Sequence, residues 1–105
     1  MSDPFVRPDA PLCVVSLHYD APLDAIDARM AAHVAWLRKG SDAGLILASG
    51  RKVPRTGGVI VMRGDAERVQ DLIATDPFVS DGLARAEVTG FTASMAAPAL
   101  AEMLA

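Results

Sequence analysis

Residues 12–18 read Leu-Cys-Val-Val-Ser-Leu-His, and the rest of the predicted fold is arranged around this run. The run is rich in strand-forming residues, and apolar side chains occupy both of its alternating sets of positions. A strand with one face in water would alternate apolar with polar residues, whereas a strand covered on both faces does not. We therefore predict a central strand here.

A helix is predicted directly after this strand. Residues 20–24, Asp-Ala-Pro-Leu-Asp, make the turn, and the helix runs from about Leu23 to Lys39 and ends at Gly40. Apolar residues recur along it at intervals of three and four, which marks one face turned to a core. These residues are Ile26, Met30, Val34 and Leu37.

The remainder of the chain alternates further strands and helices. Asp65 and Asp76 stand where each would cap a helix, and Pro77 favours a first helical position. The predicted elements are strands at 45–49 and 59–63 joined by a basic loop, a helix from 66 to about 75, a helical turn at 77–80 ended by Gly82, a strand at 84–94, and a tail helix at 98–104 packed against a neighbour. The order βαββαβ predicts an α+β, ferredoxin-like fold with a four-stranded antiparallel sheet and both helices on one face.

This fold leaves the second face of the sheet uncovered. Apolar residues of 12–18 and 59–62 would form a patch too large for a comfortable monomer. We predict a homodimer in which two sheets pack face to face.

Composition narrows the class of protein. The 105 residues predict a single domain, 1–105, with an extended arm at 1–11 and a tail at 95–105. A net charge of −3 argues against a nucleic-acid partner, and no apolar run is long enough to cross a membrane. The start, Met-Ser-Asp-Pro-Phe, does not resemble a signal peptide, so a cytoplasmic protein is expected. The single cysteine, Cys13, is expected to be a reduced structural thiol.

His33 is the main candidate for chemistry. It lies on the apolar side of the first helix, one turn from Met30 and Leu37. Burying an unpaired imidazole is costly, so His33 either has a hidden hydrogen-bond partner in the core or lines a cleft. Two histidines and one cysteine give no zinc spacing, and no metal or cofactor is expected.

Several short motifs between Tyr19 and Ser94 together resemble the YciI-like (YCII-related) family of the dimeric α+β barrel type. They are Asp20-Ala-Pro-Leu-Asp24, Arg29, His33 with Trp36-Leu37, Gly44-Leu-Ile-Leu-Ala-Ser-Gly50, and Asp76-Pro77-Phe78 with Gly82. Many members carry proline where this chain has Arg51.

The resemblance implies a site centred on a histidine and an aspartate, here His33 and Asp76. Relatives on this architecture act on lactones and quinols without metal or cofactor, which implies lyase or isomerase chemistry through proton transfer. A carboxylate beside an imidazole fixes its tautomer. Asp76 also has a plain role as a helix cap. Asp20 is the alternative partner, because His33 would lie well down a continuous first helix, far from the end of the second.

Two further groups of residues could bind a substrate. Arg51 or Arg55 of the basic loop could clamp a carboxylate or phenolate, although clustered charge is more often a solvated loop. Arg29 either lines the same cavity as His33 or pairs with Asp27 or Asp24. Trp36 could form a wall for a flat ligand, or pack in the core or an interface.

These residues lead to one functional hypothesis and two rivals. The hypothesis is a cofactor-independent acid/base enzyme, of lyase or isomerase type, acting on a small anionic or aromatic molecule. The first rival is a non-catalytic ligand-binding or structural dimer in which His33 is a core residue. The second is an accessory interaction module of a larger protein.

Overall fold

Four antiparallel strands form the sheet in a computed structural model that describes residues 8–105. In chain order they are β1 (Ala10–Tyr19), β2 (Ile46–Arg51), β3 (Gly57–Arg63) and β4 (Ala84–Ala93). Their spatial order is β2-β3-β1-β4. The central position predicted for the first strand is therefore confirmed. On the helix side its apolar residues are buried, whereas on the other side Leu12 is buried and Val14 is exposed.

Five helices complete the described part of the chain. They are α1 (Leu23–Ala28), α2 (Met30–Asp42), α3 (Ala66–Ile73), α4 (Pro77–Ser80) and α5 (Pro98–Leu104). The order and the pairing of the strands confirm the α+β, ferredoxin-like arrangement. No helix among residues 8–105 has the length and apolarity needed to span a membrane.

The main core lies between the sheet and the helices. Every second residue of β1 and β3 points into it, including Val15, Leu17, Ile60 and Met62, and α3 contributes Val69 and Ile73. Each such side chain contributes about 1.5–3 kcal/mol when fully buried. Cys13 joins this layer as a free buried thiol, and burial raises its pKa.

The first helix is not continuous, which corrects the sequence prediction. The chain breaks at Arg29, whose φ of −107° and ψ of 6° lie outside the helical region, and α2 then runs past Gly40 to Asp42. Gly40 therefore lies inside α2 and does not end it. It packs closely against β2, since a Cβ there would lie 2.5 Å from Cδ1 of Ile46.

The hairpin between β2 and β3 is also tighter than predicted. β2 extends to Arg51 and β3 begins at Gly57, so the connecting loop holds residues 52–56 only. At the start of β3, a Cβ on Gly57 would lie 1.8 Å from the carbonyl oxygen of Leu17 in β1. The backbones of β1 and β3 thus approach closely at a position that only glycine can occupy.

Both predicted aspartate caps are present. Asp65 accepts a hydrogen bond from the backbone N–H of Arg68 at 2.9 Å and begins α3, which ends at Ile73 rather than at residue 75. Asp76 accepts one from the backbone N–H of Phe78 at 3.3 Å and begins α4.

The sheet face opposite the main core is only partly covered. The tail helix α5 packs Leu104 against Leu12 and Ala93 as expected, whereas Leu100 and Met103, expected to pack as well, are exposed. Beyond it, Val14 and Phe91 remain 36% and 46% exposed. Residues 1–7 of the predicted arm lie outside the described residues, and positions 10 and 11 belong to β1.

Candidate active site

His33 and Asp76 are hydrogen-bonded to each other. Nδ1 of His33 lies 2.7 Å from Oδ1 of Asp76, and the two side chains are 10% and 0% exposed. The break at Arg29 explains the contact, because it places His33 in the first turn of α2, where its N–H donates to the carbonyl of Arg29. His33 is therefore not far down a long helix, and the carboxylate at the start of α4 can reach it.

The alternative partner, Asp20, is engaged elsewhere. Both of its carboxylate oxygens lie 3.0 Å from Nε of Arg85, at the surface. The structure thus resolves which carboxylate contacts His33, and it places Asp20 outside the site.

Asp76 holds one orientation of the imidazole. Its Oδ1 accepts from both Nδ1 of His33 and the backbone N–H of Phe78. An ionised carboxylate only accepts hydrogen bonds, so this contact favours a proton on Nδ1, and in a neutral imidazole of that tautomer Nε2 is the acceptor. Within residues 8–105 nothing hydrogen-bonds Nε2, and Oδ2 of Asp76 is buried without a partner. The dyad therefore leaves Nε2 of His33 without a protein partner among the described residues.

Phe78 fixes the plane of the imidazole. Its ring stacks on that of His33 with centroids 4.0 Å apart and planes 10° from parallel. Tyr19 meets Phe78 edge to face at 6.0 Å. Phe78 is itself 1% exposed, so its ring is held by the core and can support His33.

A cleft of about 250 Å³ opens beside His33, between α2 and the β2–β3 end of the sheet. We call it the His33 cleft. Its walls are mostly apolar, with Tyr19, Ser49 and Arg51 as the other polar or charged residues. The lining residues are Leu17, Tyr19, Met30, His33, Val34, Leu37, Ser49, Gly50, Arg51, Gly58, Val59, Ile60 and Phe78.

Ser49 and Arg51 reach this cleft because β2 contains a bulge. Ile46 pairs with Met62, but the next paired residue is Ala48, opposite Val61, so Leu47 is an extra residue. One extra residue inverts the side on which every later side chain emerges. Ser49 and Arg51 therefore face the helices instead of the open face.

Arg55 lies outside the His33 cleft. Its Nη2 donates to Oδ1 of Asp27 at 2.5 Å, which ties the β2–β3 loop to α1. This hydrogen bond holds the pKa of Asp27 below its ordinary value, with a smaller contribution from Arg51. The same bond raises the pKa of Arg55.

Arg29 and Trp36 also lie outside the cleft. Nε of Arg29 donates to Oδ2 of Asp81 at 2.7 Å, so the expected pairing with Asp27 or Asp24 is wrong. The helix break turns this side chain toward the end of α4. Trp36 packs on the main core and donates from Nε1 to Oγ1 of Thr75 at 2.8 Å. Its position favours the packing interpretation over a ligand wall.

Sequence reasoning did not single out Ser49, Tyr19 or the stacking role of Phe78. Ser49 could have been found by extending the alternation of β2 as far as Arg51. Phe78 gave a weaker signal, an aromatic residue two positions after a capping aspartate. No three His, Cys, Asp or Glu side chains among residues 8–105 are grouped closely enough to hold a metal ion.

Comparison with known proteins agrees with this architecture. The model of the YCII-related domain matches residues 12–92. A solved structure of 5-chloro-2-hydroxyhydroquinone dehydrochlorinase (TftG) from Burkholderia phenoliruptrix AC1100, in complex with 2,5-dihydroxybenzoquinone, superimposes with a TM-score of 0.62. The two sequences are 23% identical, and the superposition covers 74% of this chain and 90% of that one. The likeness is one of fold alone. No curated protein matches significantly. The matched residues include nearly the whole sheet, both site residues and the helices that carry them, and the chain belongs to the YCII-related family.

Proposed function

We propose that this protein is an acid/base enzyme of lyase or isomerase type that acts on a small molecule in the His33 cleft without a cofactor. His33 is the proton-transferring residue, and Asp76 orients it and stabilises its charged form. The observation that carries this proposal is the 2.7 Å contact between Nδ1 of His33 and Oδ1 of Asp76, with Nε2 left free beside a cleft.

The geometry suits proton transfer. An imidazole whose Nδ1–H is bound by a carboxylate presents a basic Nε2, and the carboxylate stabilises the imidazolium once a proton is taken. Such a group contributes ~10²–10⁴-fold to a rate. Stacking on Phe78 limits rotation of the ring, so a bound substrate would meet Nε2 in one direction.

The cleft is suited to a single-ring molecule. Its volume is about 250 Å³, whereas an apolar cavity of about 150 Å³ is enough to hold benzene. A ring with several substituents therefore fits. The relative of this fold that binds 2,5-dihydroxybenzoquinone supports a small aromatic substrate, here a phenol or quinone.

NMR and mutagenesis together test the catalytic role. In His33→Asn the fold should persist, and turnover of a substrate found by thermal-shift screening of single-ring phenols and quinones should fall ~10²–10⁴-fold. His18→Asn is the matched control, because His18 does not line the cleft. The imidazole signals of His33 should also move with pH in the folded protein. Signals that never move, together with a loss of about 1–3 kcal/mol of stability in His33→Asn, would indicate a core histidine.

The partially covered sheet face supports a homodimer as the working form. Val14 and Phe91 lie on this face beside α5. The tail helix covers only part of the face, so both side chains remain in contact with water. Pairing of two such faces would remove apolar surface from water. The cytoplasmic location stays a prediction from the sequence.

A further inference from the structure

The arginines around the His33 cleft differ in whether a carboxylate pairs with them. Three arginines near this end of the fold each contact a carboxylate, whereas the side chain of Arg51 makes no ion pair or hydrogen bond within residues 8–105. The three pairs are Arg29 with Asp81, Arg55 with Asp27, and Arg85 with Asp20. Arg51 is also the one formally charged side chain among the residues that line the cleft.

The positive charge of the cleft is opposite in sign to the net charge of the protein. The protein carries a net charge of −3, yet the cleft wall contributes one positive charge and no carboxylate. Asp76 lies behind His33, fully buried, and both its contacts run to the protein. A ligand in the cleft therefore meets the guanidinium of Arg51, the imidazole of His33 and mostly apolar walls.

We propose that the His33 cleft selects single-ring molecules that carry one negative charge on a carboxylate or an acidic hydroxyl, and that Arg51 is the residue that recognises this charge. The proposal rests on the proposed function, because it assigns the substrate class of the same cleft. The planar guanidinium presents paired N–H donors that match two carboxylate oxygens or bracket a single phenolate oxygen.

The arrangement of β2 supports this role. Ser49 stands two residues before Arg51 on the same side of the strand, opposite Ile60, and lines the same cleft. Its hydroxyl can donate to an anionic oxygen held by Arg51. Gly58 is paired with Arg51 across the two strands, lines the same cleft and adds no side chain to it. Leu17, Val34 and Leu37 then cover the apolar body of the ring.

Charge, rather than shape, should therefore decide affinity. A neutral isostere keeps the apolar contacts but lacks the charge-assisted hydrogen bonds, which are about twice as strong as neutral ones. We expect a preference of roughly tenfold or more for the anion. Salt should reduce the preference in part, because Arg51 is exposed at the rim.

Binding of benzoate and benzamide, which share a shape and differ in charge, tests the proposal by NMR titration or calorimetry. Wild-type protein should bind benzoate roughly tenfold or more tightly than benzamide. Arg51→Gln should abolish the preference, Arg51→Lys should keep part of it, and Arg85→Gln, which removes a charge outside the cleft, should keep all of it. Phenylacetate and cyclohexanecarboxylate, each with its amide, extend the comparison to other ring positions.

Three results would overturn the proposal. They are equal affinity for acid and amide in the wild type, a preference that survives in Arg51→Gln, and no binding of any of the three carboxylates at millimolar concentration. Failure of the proposed function is distinguishable, because charge selection by Arg51 would then persist while the signals of His33 stay insensitive to pH.

Discussion

The imidazole of His33 lies flat on the phenyl ring of Phe78, with 4.0 Å between their centroids. Phe78 also gives its backbone N–H to the carboxylate that binds Nδ1 of His33. The residue thus supports the imidazole in two ways, by its ring and through Asp76. Phe78 therefore contributes both to the stability of the core and to the orientation of His33, the proposed base.

Phe78→Leu should loosen the imidazole while leaving the protein folded. Leucine keeps an apolar group in the core, so we expect a loss of roughly 1–2 kcal/mol, below the 3–5 kcal/mol of truncation to alanine. The stacking partner is lost, and the ring protons of His33 should lose the ring-current shift that a parallel phenyl imposes. Ile73→Val is the control, because Ile73 belongs to a core cluster that includes neither Phe78 nor His33. Unchanged imidazole shifts in Phe78→Leu would contradict the support role.

Asp76→Asn should change the tautomer of His33. The amide can donate to Nδ1 as well as accept from it, so the preference for a proton on Nδ1 is weakened. The ¹⁵N shifts of the imidazole report this directly, and turnover should fall with them. Asp65→Asn, a change at the cap of α3, controls for general effects of losing a capping carboxylate. A single Nδ1–H tautomer in both variants would show that Asp76 does not set it.

The contact of Arg55 with Asp27 should stabilise the fold in a pH-dependent way. Because the pKa of Asp27 is lowered in the folded protein, the stabilisation is present above the ordinary pKa and is lost as the pH falls through the folded value. The melting temperature of wild type should exceed that of Arg55→Gln near neutral pH, and the gap should close below about pH 4. A gap that stays constant down to the acid transition would rule out the ion pair as its cause.

Gly57→Ala should destabilise the sheet strongly. The added Cβ would lie 1.8 Å from the carbonyl oxygen of Leu17, and neither strand can yield without losing pairing. We expect a loss of roughly 3 kcal/mol or more by chemical denaturation. Gly50→Ala is the matched control, since a Cβ there meets nothing within 4 Å. Similar stability in the two variants would mean that β1 and β3 can separate more easily than the structure indicates.

Val14→Asp should separate the proposed dimer. Val14 is 36% exposed on the open sheet face, so the charge is tolerated in a monomer but is costly inside an apolar interface. Light scattering should give a dimer mass for wild type and a monomer mass for the variant. Gln70→Asp, on the exposed side of α3, should leave the mass unchanged. A monomeric wild type at micromolar concentration would exclude the dimer.

Much of the fold could be predicted because local signals agree with it. The doubly apolar run of β1 indicated an inner strand, and the two capping aspartates marked the starts of α3 and α4. The break at Arg29 left no such signal. Ile26 and Met30 stay four residues apart across it, so the apolar periodicity continues although the helix does not.

The candidate site was predictable only in part. His33 and Asp76 stood out by type and position, yet their contact depends on the helix break, a tertiary effect. Arg51 could not be separated from Arg55 by sequence, since both belong to one basic segment. The carboxylate of Asp27, from a distant part of the chain, hydrogen-bonds Arg55 and not Arg51.

The extra residue at Leu47 means that the charge of the His33 cleft depends on the number of residues in β2. Removing Leu47 from β2 would allow the same backbone pairing, but it would place the guanidinium of Arg51 on the opposite face of the sheet. The cleft would become uncharged, and a cation would stand on the face proposed to meet a second copy. A single deletion would thus change ligand preference and assembly together, without the substitution of any residue that lines the cleft.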